Sequence, residues 1–278
     1  MVTTTTEILS VNGVVLNTLA KNVESIAGRL RAAAFRTGNV TVPGRDGDLW
    51  VPNKKFQSNQ ITLPMWVVGS DDDGAIPNGS SARIEFFKRV DELVTLFKSP
   101  ALLDVRHTLP DGSIRQYFAE ALDVLDFTTD ASPKGMVGVV LEVPGSFWQD
   151  VTALTQQWTG TVGTATPSNF AGTQVAITDP IWELTGPWTS PRLTFSDGSF
   201  MAYNAVIAAT QKLTVNCGTW ELTGSGGLTV DYSKIQHDGS DAIWGAVPAS
   251  LGAITMTGSA RTTASKLVLT ARRKFLVG

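Results

Sequence analysis

A chain of 278 residues with 22 lysines and arginines against 25 aspartates and glutamates has a formal charge of −3, which leaves no basic footprint for wrapping nucleic acid or coating an anionic membrane. A single cysteine excludes an internal disulfide, and a chain this long buries roughly three quarters of its unfolded surface without one. Residues 1–13 lack the basic start and apolar run of a secretory signal, and no window holds the roughly 18 apolar residues needed to cross a bilayer. The expectation is a protein made soluble, with no membrane insertion and no direct nucleic-acid partner.

The first half carries most of the charge, with 14 of the basic and 18 of the acidic residues within 1–150. Arg29, Arg31 and Arg36 lead into residues 39–49, Asn-Val-Thr-Val-Pro-Gly-Arg-Asp-Gly-Asp-Leu, which read as a strand running into a tight turn. Pro43 pins the chain there and removes a donor, while Gly44 and Gly47 supply backbone angles that other residues adopt only with strain. Arg45 and Asp46 at the turn have three open roles: pairing across the loop, reaching a neighbouring subunit, or standing solvated. Residues 60–69 then read as an extended strand ending at Gly69.

Asp71, Asp72 and Asp73 before Gly74 lack the alternation and terminal glutamate of a calcium loop and read as a solvated acidic turn. A helix begins near Ser80 or Ser81 and stops at Ser99 before Pro100, with serine as N-cap and proline as stop. Ile84, Phe87, Val90, Val94 and Phe97 form its expected core stripe, with Glu85, Lys88, Asp91, Glu92 and Lys98 mainly opposite. Residues 102–109 and 113–127 flank Pro110-Asp111-Gly112 as a hairpin, and 136–143 form a further strand. A turn and two aromatics, Phe147 and Trp148, close this half.

The second half is poor in charge, with 8 basic and 7 acidic residues, and rich in Thr, Gly, Ser and Trp. Residues 155–178 read either as a linker or as weak strands. Beyond them, runs at 181–184, 192–195, 213–217, 228–232, 253–257 and 266–271 recur between turns such as Asp197-Gly198 and Asp238-Gly239, a β-sandwich pattern. Cys217 follows apolar Leu213 and Val215 and is expected to be a small buried residue. Arg272-Arg273-Lys274 near the end is expected to protect a sheet edge, with contact to the first domain or a neighbouring subunit as the alternative.

Catalytic and metal chemistry find no purchase. His107 and His237 are too far apart for a metal pair, and each is expected to be solvated or hydrogen-bonded. No nucleophile with an adjacent base can be named, so the reading is non-enzymatic, with no catalytic, cofactor or metal residues. Trp182, Trp188, Trp220 and Trp244 are candidates for stacking on sugar rings, against the alternative of core packing.

These features together resemble the distal tail proteins of long, non-contractile-tailed bacteriophages. The Pro-Gly-Arg-Asp-Gly turn at 43–47 after an arginine-bearing segment and the strand at 60–69 carry the likeness in the first half. Pro180 to Gly186 (Pro-Ile-Trp-Glu-Leu-Thr-Gly), residues 191–195, Leu213-Thr214-Val215 and Leu228-Thr229-Val230-Asp231 carry it in the second. The resemblance implies a mainly β, β-rich α+β chain with two domains. The first, 1–148, is a ring-forming β domain with one helix; the second, 149–278, is a galectin-like or jelly-roll β-sandwich whose last strand can return to the first.

It also implies a structural virion protein, assembled in the host cytoplasm and placed at the distal end of the tail tube. Six copies would close into a homo-hexamer ring joining the tail tube protein to the tail-tip hub or tail-associated protein, with the sandwich outward as a platform for receptor-binding proteins. Residues 29–48, with Arg29, Arg31, Arg36, Arg45 and Asp46, are the candidate subunit interface. The alternative reading is a carbohydrate-binding or receptor-binding module that uses the sandwich for host adhesion.

Overall fold

The computed structural model describes residues 7–23, 40–41, 48–49, 57–129, 132–145, 147–237 and 245–276. The chain divides into two compact units, one of residues 1–151 with Leu276 and one of residues 152–275. The first contains β1 (Ile8–Val11), β2 (Val14–Val15), β3 (Lys21–Val23), β4 (Val40–Thr41), β5 (Asp48–Leu49), β6 (Asn59–Val68), α1 (Ala82–Phe97), β7 (Leu103–Thr108), β8 (Ile114–Thr129), β9 (Lys134–Val143) and β10 (Trp148–Asp150). The chain is mostly strand with one α-helix among the described residues, so it is mainly β as expected.

The main sheet of the first unit runs β2-β1-β7-β8-β9-β6-β3, with β10 paired to β8. Alternation sets its faces: Ile61, Leu63, Met65 and Val67 of β6 are buried while Trp66 and Val68 between them are exposed. The β7–β8 hairpin turns at Pro110-Asp111-Gly112, where Gly112 sits at φ +81 and Asp111 accepts from Ser113 N at 2.9 Å. The long β8 pairs with β7 through its first part and with β9 beyond Glu120. A register shift between Ala121 and Asp123 places Leu122 in a bulge.

Helix α1 starts where expected, with the Ser81 hydroxyl accepting from Ile84 N, but its buried face is rotated. Phe86, Leu93 and Phe97 are buried with Glu85, whereas Ile84 and Phe87, expected in the core, are each more than half exposed. The helix packs on β6 and β8, and its approach is set at Gly69, where any side chain would collide with the Ala82 carbonyl. The spacing of apolar residues alone did not reveal this rotation. The Arg89 guanidinium tethers the same region by donating to Ser70 O at 3.2 Å.

The second unit contains β11 (Leu154–Thr159), β12 (Thr164–Ala165), β13 (Ile181–Thr185), β14 (Trp188–Thr194), β15 (Phe200–Tyr203), β16 (Val206–Ile207), β17 (Lys212–Asn216), β18 (Glu221–Ser225), β19 (Ile235–His237), β20 (Ile254–Ser259), β21 (Lys266–Ala271) and β22 (Lys274–Phe275). One sheet runs β11-β21-β13-β17-β18, the other β12-β20-β14-β15-β19 with β16 on β14. Trp182, Leu184, Leu213, Val215, Leu267 and Leu269 of the first sheet share one core with Leu193, Met201, Tyr203, Ile254 and Met256 of the second. Within 155–178 the structure forms strands and a 3-10 turn at Ser168–Phe170 instead of a linker.

One expectation for this unit is corrected. Residues 228–232 are not a strand: β18 lies earlier, and the segment after it runs along the outer edge of β18. There Tyr232 Oη accepts from Leu222 N at 3.0 Å, and a side chain at Gly224 would meet the Leu228 carbonyl. Arg272 and Arg273 follow β21, which lies between β11 and β13, and Lys274 opens β22. Arg273 donates to Ala171 O at 3.3 Å and Lys274 pairs with Asp179 at 2.8 Å, so the run ties its own unit together.

Candidate assembly surfaces

The arginine-bearing segment cannot be judged directly, since Arg29, Arg31, Arg36, Arg45 and Asp46 lie outside the described residues. Its boundaries are defined. Val40 pairs with Leu49 and Thr41 with Asp48, an antiparallel backbone pair on either side of the Pro-Gly-Arg-Asp-Gly turn. On the N-terminal side, the preceding strand β3 is anchored by Lys21, whose ammonium is 5% exposed as a residue and pairs with Asp72 at 3.1 Å. Burial pushes the Asp72 carboxyl up, but hydrogen bonds from Lys21 and Thr18 outweigh it and hold the group below the usual carboxylate range. The acidic turn is therefore structural: Asp72 serves Lys21, and Asp71 accepts from Asp73 N and Ala75 N.

The described part of the first unit presents two apolar surfaces. Of the large apolar side chains exposed among the described residues, all but Val206, Trp220 and Tyr232 belong to this unit. On the outward face of the sheet, Phe118 and Glu120 of β8 lie beside Glu142 and Val140 of β9, with Glu120 directly opposite Glu142. Like charges at directly paired positions repel, and neither carboxylate has a cation partner among the described residues. On α1, Arg83, Ile84 and Phe87 form the second surface, with the guanidinium 5.9 Å from the Phe87 ring centre.

The buried charges of this unit find partners within it. Glu85 is buried at the start of α1, where Lys88 donates at 2.7 Å and Ser80 at 2.6 Å; the Lys88 and Ser80 hydrogen bonds hold its carboxyl below the usual 4.5. Its expected place on the polar side of the helix is thus corrected. His107 is buried, with Nε2 at 3.5 Å from Glu7 and its ring 6.0 Å from Trp148, so of the solvated and hydrogen-bonded roles expected for it the structure sets aside the solvated one. Tyr117 packs edge-on against Trp148 at 4.2 Å, and burial raises its phenol far above the ordinary range.

In the second unit the tryptophans separate. Trp182 and Trp188 are fully buried and donate to Gly245 O at 2.8 Å and Thr257 O at 3.0 Å, so neither offers a ring face to a sugar. Gly258, at φ +121, lies so close to Trp188 that a Cβ there would press on the indole nitrogen. Trp220 is 42% exposed, and Trp244 lies outside the described residues. Cys217 is buried, with its thiol pushed up to about 12 by burial and by Asp179, which leaves it unreactive at neutral pH. His237 ends β19.

The edges of the five-stranded sheet are occupied by the unit's own side chains. Tyr232 caps β18, and Asn169 Nδ2 donates to Thr155 O of β11 at 2.9 Å. Strand addition, the simplest route to association between sheets, is blocked at these two positions. No group of three or more His, Cys, Asp or Glu side chains among the described residues is arranged to hold a metal ion. No helix among them is long and apolar enough to cross a membrane. Side chains absent from the expected interface set, Phe87 and Phe118 above all, are the apolar features that sequence periodicity had placed in the core or left unassigned.

No family model and no curated protein matches the sequence. Among solved structures, the chain is similar to the Dit protein of phage SPP1, described as a paradigm of the hub adsorption apparatus in phages infecting Gram-positive hosts. The identity is 14%, the TM-score 0.65, and the match covers 96% of this chain and 99% of that one. A chain of the phage p2 baseplate in its activated conformation also aligns, at 8% identity and TM-score 0.46, over 98% of this chain and 100% of that one. The likeness to the SPP1 protein is one of fold and extends over both units, in line with the distal-tail resemblance drawn from the sequence.

Proposed function

We propose that this chain is a non-enzymatic structural protein of a long, non-contractile phage tail, which closes with copies of itself into a homo-hexameric ring at the distal end of the tail tube. The ring joins the tail tube protein to the tail-tip hub, and the second unit serves as a docking platform for host-adsorption proteins. One observation carries this reading: the fold matches the SPP1 hub protein across nearly the full length of both chains, with neither unit left over. The distribution of surface chemistry supports it, because the exposed apolar side chains concentrate in the first unit, as a self-associating domain requires.

Mechanism here is geometric. A ring forms when two different surfaces of one subunit are complementary and the rotation between copies closes. The second unit, with buried tryptophans and capped strand edges, contributes shape and loops to the periphery. The segment 29–48, with Arg29, Arg31, Arg36, Arg45 and Asp46, belongs to the proposed subunit contact because its β4–β5 pair brackets an arginine-bearing turn. Negative-stain microscopy of the purified full chain tests the reading. Six-fold rings with a central opening are expected; isolated two-lobed particles at every concentration overturn it.

A further inference from the structure

We propose that neighbouring copies meet front to back through the first unit, the Arg83–Phe87 strip of α1 on one copy seating on the Glu120–Glu142 face of the sheet on the next. This rests on the ring reading above and assigns it a specific pair of surfaces.

Three observations converge on it. First, the two surfaces face opposite ways. Helix α1 covers the inner side of the sheet through Phe86, Leu93 and Phe97, so its own outward strip points away from that sheet, while Glu120 and Glu142 project from the sheet's other side. A heterologous, ring-closing contact needs two non-identical surfaces on different sides of the subunit, which an isologous dimer does not.

Second, the charges are complementary and otherwise unmet. Glu120 and Glu142 stand opposed on adjacent strands, repelling one another. Arg83 is exposed, and among the described residues it meets no carboxylate, only the Phe87 ring. One guanidinium presents a fork of donors wide enough for two carboxylate groups, so its arrival converts a repulsive pair into a bridged one.

Third, each charge is framed by apolar surface. Phe118 and Val140 lie two positions from the carboxylates on the same sheet face, and Ile84 and Phe87 flank the arginine on the helix. Excluding water around the ion contact strengthens it, and the exposed rings supply anchors of the kind that dominate interface energetics.

The test uses the full chain and measures assembly by sedimentation over a concentration series. Arg83→Glu alone, and Glu120→Lys with Glu142→Lys, each place like charges across the contact and are expected to raise the dissociation constant at least about tenfold. Combining all three substitutions restores complementarity with reversed sign and is expected to return it to within about threefold of the unsubstituted chain. Arg83 and Glu120 are exposed and Glu142 is half-buried on the outward face, so thermal melts of the variants are run alongside and unchanged melts show that loss of assembly is not loss of fold. Assembly of the starting chain with all variants behaving alike overturns the face assignment and leaves the ring reading standing. Loss in both single-face variants without rescue in the combined one overturns the pairing of these two faces. A starting chain that never assembles overturns both.

Discussion

Replacing Asp72 with asparagine strips the one carboxylate that, among the described residues, pairs with the buried Lys21 ammonium and should cost the first unit about 2–3 kcal/mol. The Lys21 side chain is 6% exposed and sits 3.1 Å from an Asp72 side chain that is 52% exposed. At that distance two unit charges attract by about 5 kcal/mol if the effective dielectric is about 20. Exposure of Asp72 to water and the cost of burying Lys21 offset part of this. The loss therefore falls between the ~1 kcal/mol or less of a surface pair and the ~3–5 kcal/mol of breaking a fully buried one. Thr18, which donates to the same carboxylate oxygen at 2.9 Å, loses a charged acceptor too. Lys21→Met tests the cause, because an apolar side chain of similar length needs no counter-ion. Alone it should cost within about 1 kcal/mol, and combined with Asp72→Asn it should recover most of the loss. Urea denaturation of the full chain at neutral pH, followed by circular dichroism, reads all three. An Asp72→Asn chain within ~0.5 kcal/mol of the starting protein refutes the argument.

Further outcomes follow from the same unit. Tyr117 is buried edge-on against Trp148 with no hydrogen-bond partner on its hydroxyl among the described residues, so Tyr117→Phe should be neutral or stabilising by up to about 1 kcal/mol in the same denaturation experiment. A loss of more than ~1 kcal/mol would show that the hydroxyl has a partner. Glu85 and Asp72 both hold their protons less tightly folded than unfolded. Their stabilising effect is therefore full above the ordinary carboxylate values of 4.5 and 3.8 and is lost as the pH falls through the lower folded values. Melting temperatures should show no loss from these groups between pH 7 and the ordinary 4.5 and should decline below it, and Glu85→Gln should flatten that acid decline; an unaltered profile in the variant would contradict the assignment.

Much of the first unit is legible in the sequence because its strands alternate cleanly and its turns are marked. The β6 and β9 strands, the β7–β8 hairpin and both ends of α1 follow directly from apolar alternation, Pro110-Asp111-Gly112 and Ser81. The helix's rotation is not legible. Two apolar sets at helical spacing share it, Ile84 and Phe87 in one and Phe86 and Leu93 in the other, with Phe97 buried as expected, and only one set can face the sheet. Packing of α1 on β6 and β8 decides between them, and that is tertiary information. Glu85 is hidden for the same reason, since a buried carboxylate is tolerable only with Ser80 and Lys88 beside it.

In the second unit, β18 escapes notice because it buries Leu222 alone, while residues 228–232 imitate a strand but serve as its cover. Trp182 and Trp188 are ambiguous as letters and become unambiguous once their indole N–H groups are seen bonded to backbone carbonyls deep in the core. The assembly surfaces were the least legible. An exposed Phe87 or Phe118 reads in sequence as another core residue, and only the folded chain shows which side of the sheet it occupies.

Native mass spectrometry of the purified chain addresses the central claim most directly. The account predicts a dominant species of six times the 29.7 kDa subunit, with the balance shifted towards monomer on Arg83→Glu. A single 29.7 kDa species at all concentrations, unchanged by any surface substitution, would contradict it.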